Sequence, residues 1–179
     1  MRMKAAGTDG ERGFALTVVL ILVLGIGIGT ALILPRAIRW HHAAMIQHET
    51  DCLVSDLHLM QQITRTSTVY PAEEVKDHQL YESVPELEIR EPEHAYIMWR
   101  RSYAGGMSAS QQILHHVYPK DIIINPNIKD KIRFGNNGGT VHATTIYVYY
   151  AQERENGKKI ILDSVGRIRV EGIDENQQP

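Results

Sequence analysis

Nine histidines and a single cysteine carry the plainest chemical potential in this 179-residue chain. His48 and Cys52 stand four apart, so a helix would turn both toward one side, but two ligands without further partners do not make a metal site. His41–His42 and His115–His116 are adjacent pairs, and neighbours on a strand point to opposite faces. No HExxH occurs. One cysteine excludes an internal disulfide and any CxxC centre. Serine, histidine and aspartate occur without a Gly-x-Ser-x-Gly elbow, and "FGNNGG" and "SVGRI" are not followed by Lys-Ser/Thr. The expectation is therefore no enzyme, no metal and no cofactor. One cationic pair remains as a candidate contact: Arg167 and Arg169 share a face of a terminal strand, within reach of Lys158 or Arg133. Such charges keep an edge strand soluble and unpaired. A DNA contact through them would be weak and steeply salt-dependent.

Chemistry done to the chain is a different matter. Arg12-Gly13 leads into Phe14-Ala15-Leu16 and an uncharged run, residues 14–34, closed by Pro35. A helix of that length is about 31 Å long, close to the roughly 30 Å hydrocarbon core of a bilayer. The run exceeds the apolar core of a removable secretion signal, and Arg36 and Arg39 stand where small cleavage-site residues would be required. Gly25, Gly27 and Gly29 are tolerated in membrane helices and permit close helix approach. Pro35 is expected to kink the helix where it leaves the lipid. The short leader carries Arg2, Lys4 and Arg12 against Arg36 and Arg39 on the far side, a slight positive-inside bias. A short basic leader before the first apolar run is usually cytoplasmic, so the rest of the chain is expected outside.

These residues resemble the class III signal of type IV prepilins and pseudopilins. The resemblance implies cleavage between Gly13 and Phe14 by a prepilin peptidase, N-methylation of Phe14, and retention of the apolar helix for filament assembly. It makes Pro35 the 22nd residue of the mature chain, an offset at which many family members also have proline. One position departs: the family's fifth mature residue is usually glutamate, and here it is Val18. In the family that carboxylate pairs with a neighbour's N-terminal amine, and a buried ammonium without a counter-charge is costly. The first acidic residue after the junction is Glu49. The departure fits a minor subunit, the preferred reading, or a divergent member that assembles poorly.

Beyond Pro35, Ile38, Ile46, Leu53, Leu57 and Met60 recur on one helical face, with Asp51, Asp56 and Gln61 pointing elsewhere. One helix over residues 14–64 would be about 75 Å long. Residues 66–93 read as an acidic connector, broken by Pro71, Pro85 and Pro92. From His94 the pattern turns to strands: "HAYIMWRRSY", a turn at "AGGMSAS", then "ILHHVY" and "DIIIN" around Pro119. Four strands follow in "DKIRFGNNGG", "TTIYVYYAQERENG", "KKIILDSVG" and "RIRVEG". Asn137-Gly138 and Asn156-Gly157 are expected hairpin turns and Gly166 a third. This C-terminal stretch is similar to the H-type minor pseudopilins and their FimT-like relatives, some of which contact DNA through an ending of this kind.

The expected fold is α+β and pilin-like, a long N-terminal helix packed on a C-terminal antiparallel sheet. Its parts are a cleaved leader (1–13), an assembly helix (14–35), an amphipathic continuation (36–65), the connector (66–93), a β-rich head (94–174) and a tail (175–179). The expected role is a minor pilin or pseudopilin of a type IV pilus, a type II secretion system or a competence filament. It would be single-pass in the cytoplasmic membrane, with its head outside. Its implied partners are other pilin subunits, prepilin peptidase, the inner-membrane assembly platform and the lipid bilayer. The alternative is a signal-anchored envelope protein whose β-rich head binds a ligand. A net charge of −2 with mixed signs adds no electrostatic argument for nucleic acid.

Overall fold

The computed structural model describes residues 9–66, 81–82, 84–104, 107–128, 131–135 and 137–173. Most of the expected leader, the 67–80 part of the connector and the tail lie outside this set. The fold is α+β. One helix, α1, spans Asp9–Thr66, beginning upstream of the expected start at Phe14 and ending two residues beyond Thr64. Pro35 lies inside it. Lacking an N–H, that proline leaves the carbonyl four residues back without its helical donor. The chain divides into two compact units, one through His42 and one from Ala43 onward.

In the first unit, every described side chain from residue 16 to 41 is exposed apart from the position of Gly29. Phe14 is 74% exposed. In the second unit, α1 presents Ile46, Leu53, Leu57 and Met60, all buried, at the spacing expected of the core face. Ile38, read as part of the same stripe, is instead 45% exposed and belongs to the first unit.

The strands are β1 (Tyr81–Glu82), β2 (Glu86–Arg90), β3 (Ala95–Ala104), β4 (Met107–Val117), β5 (Ile122–Pro126), β6 (Ile132–Arg133), β7 (Thr144–Tyr150), β8 (Glu153–Leu162) and β9 (Ile168–Gly172). They form two antiparallel sheets rather than the single one expected. In the first sheet β3 pairs with β4 on one edge and with β1 and β2 on the other, and β6 closes β2 through Glu86↔Arg133 and Leu87↔Ile132. The second runs β5-β7-β8-β9. The chain therefore leaves the second sheet after β5, adds β6 to the first, and returns as β7. The helix stripe, Leu87, Tyr96 and Met98 of the first sheet, and Ile124, Val148 and Ile160 of the second make one apolar cluster.

Three local expectations change. Part of the acidic connector is a strand: in Glu86-Leu87-Glu88-Ile89-Arg90, alternate residues are apolar, and Leu87 is fully buried. The charge of that segment hid its period of two. Asn156-Gly157 is not a turn. It lies inside β8, and the β7–β8 hairpin turns at Ala151-Gln152. Gly157 has no positive φ; it is needed because a Cβ there would collide with Tyr149 and Ile173. Gly138 (φ 79°) and Gly166 (φ 86°) do take the left-handed conformation their turns require. Finally, Met107 to Ser110 of the expected "AGGMSAS" turn belong to β4, and the described residues of "DKIRFGNNGG" contribute β6 and a bridge between Phe134 and Thr140.

Candidate membrane and assembly segment

The apolar half of α1 is the candidate segment. It is long and apolar enough to cross a membrane, and none of that window is buried within the protein. Val18 is 40%, Leu22 59% and Leu32 69% exposed. Large side chains bare on all sides of a helix require an apolar surrounding, either lipid or other helices. Thr30 donates Oγ1 to the Ile26 carbonyl at 2.8 Å, so its polar atom is satisfied within the helix. The Gly13–Phe14 junction lies inside α1, not in a loop before it.

No carboxylate accompanies this segment. Val18 stands at the position discussed above, and from residue 12 to 48 the sequence contains no aspartate or glutamate. Glu49 is committed elsewhere: it is 5% exposed, and His116 Nε2 lies 2.8 Å from its Oε2. His116 also stacks on Tyr96, with ring centroids 4.9 Å apart, and Tyr96 donates its hydroxyl to Asp56 Oδ2 at 2.6 Å. Burial first, then the hydrogen bond to Asp56, pushes the Tyr96 hydroxyl pKa far upward. These contacts fasten α1 to β3 and β4. Pattern reading missed them, as it missed Gln61, which is buried and donates Nε2 to the carbonyls of Gly138 (2.6 Å) and Gly166 (2.8 Å). Gln61 thereby holds both glycine turns against the helix.

Among the described residues no three His, Cys, Asp or Glu side chains group around a possible ion. Cys52 Sγ sits 3.8 Å from His48 Nε2. Burial, then the charges of Glu49, Asp56 and Asp51, raise the Cys52 pKa, which keeps it a thiol rather than a thiolate nucleophile. His115 and His116 face opposite sides of β4, His115 exposed and His116 on Glu49. A cleft of about 470 Å³ is lined by Ile132, Val141, His142 and Thr144 with Lys131 and Arg133. Its two basic residues are spent on Glu86, at 3.4 and 2.9 Å.

Arg167 and Arg169 are both exposed at the edge of the second sheet, but the wider cationic stripe does not assemble. Lys158 lies on the opposite face of β8 and donates Nζ to Gln47 Oε1 of the helix. Arg133 is on the other sheet. Lys159 does share the outer face, where it pairs with Glu171 at 3.3 Å. The acidic residues of β2 are likewise balanced internally: Glu88 meets Arg90 (3.1 Å) and Lys131 (3.4 Å).

Comparison with known protein families, with curated proteins and with solved structures returns no match.

Proposed function

We propose that this chain is a minor pilin or pseudopilin, stored in the cytoplasmic membrane through the apolar half of α1 and built into a filament after cleavage between Gly13 and Phe14. The observation that carries the reading is the bare apolar helix directly behind an Arg-Gly-Phe junction. Such a surface is solvated by lipid first and by equivalent helices afterwards, so extraction exchanges one apolar environment for another. Removing a charged leader frees the inner end for that packing. Co-expression with a prepilin peptidase followed by mass spectrometry tests it. The mature chain should begin at Phe14, and Gly13→Trp should leave the precursor mass intact. A Met1 terminus in the presence of active peptidase overturns the reading.

Val18 favours a second reading. With no carboxylate from residue 12 to 48, the helix serves equally as a permanent single-pass anchor, with the two-sheet head as a binding module outside. That reading expects the full-length mass under the same conditions.

A further inference from the structure

Arg36, Arg39 and Trp40 follow the apolar run on α1 at successive spacings of three and one. At 100° per residue they fall within an arc of about 100°, so they share one helix face. All three are exposed, Trp40 at 76%. Neither guanidinium enters an ion pair among the described residues. Along the helix the nearest acidic residue downstream is Glu49 and upstream Glu11. Two like charges one turn apart repel, and an anion held between them removes that cost. Arg36 and Trp40 lie about 3 and 9 Å beyond Leu34 along the axis, which brackets a headgroup layer roughly 5–8 Å deep. Indole, with a broad apolar body and a single N–H, suits that boundary.

We propose that Arg36, Arg39 and Trp40 form a headgroup-level site for an anionic phospholipid. The two guanidiniums hold its phosphate, and the indole lies at the acyl boundary. The site sets the depth of the span at its outer edge, and its lipid must be released whenever the helix leaves the bilayer. This inference rests on the membrane placement of α1 proposed above.

The test uses the full chain with Trp99→Phe, which leaves Trp40 as the sole indole, reconstituted into vesicles of phosphatidylcholine alone or mixed with phosphatidylglycerol. Brominated phosphatidylglycerol should quench Trp40 more strongly than brominated phosphatidylcholine at equal mole fraction. The corresponding local enrichment is on the order of tenfold. Arg36→Gln with Arg39→Gln should abolish the preference while the chain still resists alkaline extraction. Equal quenching by the two lipids, or a preference that survives the double substitution, overturns the site alone. A chain that inserts into neither vesicle overturns the membrane placement and the site with it. Inorganic phosphate added to phosphatidylcholine vesicles should leave Trp40 emission unchanged, and a response there would assign the arginines to a free anion instead.

Discussion

At 5% exposure the Glu49 carboxylate depends on His116, 2.8 Å away, for its charge-assisted hydrogen bond. His116→Ala removes both that bond and the stacking on Tyr96, leaving a buried acceptor without its donor. The expected cost is about 2–3 kcal/mol, read from urea unfolding of the head. Glu49→Gln, which keeps shape and one hydrogen bond, should cost less. Glu88 contributes to the response to acid. Burial alone would raise its pKa, but hydrogen bonds from Arg90 and Lys131 outweigh burial and hold it below the ordinary carboxylate value. Near that value the unfolded chain therefore binds more protons at this site than the folded one. The stabilisation is complete above the ordinary carboxylate pKa and is lost as pH falls through the depressed folded value. Urea midpoints measured down the acid range should fall less steeply in Glu88→Gln than in wild type; identical slopes would refute the assignment.

At the scale of the element, α1 has two chemically different halves, and substitutions should separate them. Leu57 is fully buried in the apolar cluster, so Leu57→Ala should destabilise the head by about 2–5 kcal/mol. Ile38→Ala, at a position 45% exposed, should leave the head's unfolding midpoint unchanged. A similar loss in both variants would mean that the buried stripe extends further toward the N-terminus than residue 46. The strands show what pattern reading reaches. Pattern reading finds the strand at Thr144–Tyr150, where alternate residues are buried, and the strand at Ile168–Gly172, where the apolar positions are not: Ile168 is only partly covered and Val170 is 41% exposed. It fails where charge masks the alternation in β2, and where an Asn-Gly pair serves close packing at Gly157 rather than a turn.

For the molecule as a whole, the separation into a bare apolar unit and a packed β-rich unit predicts different solution behaviour. A fragment of residues 43–179 should be soluble without detergent, rich in β-structure by circular dichroism, and cooperative in unfolding. The full chain should partition with membranes. Aggregation of the fragment would show that the head needs more of the helix than its buried stripe. By itself the sequence determined the apolar run and its length, the amphipathic continuation, the strand-rich remainder and the absence of a recognisable catalytic motif. These follow from composition and period along the chain, which local geometry converts directly into helix and strand. Only the tertiary structure decided that the strands divide into two sheets and that β6 crosses between them. It alone placed Glu49 on His116, Asp56 on Tyr96 and Gln61 on two turn carbonyls, and matched Lys131 and Arg133 to Glu86. The physical reason is separation along the chain: partners 40 to 105 residues apart leave no periodic trace, and a period of two names a strand's faces without naming its neighbour.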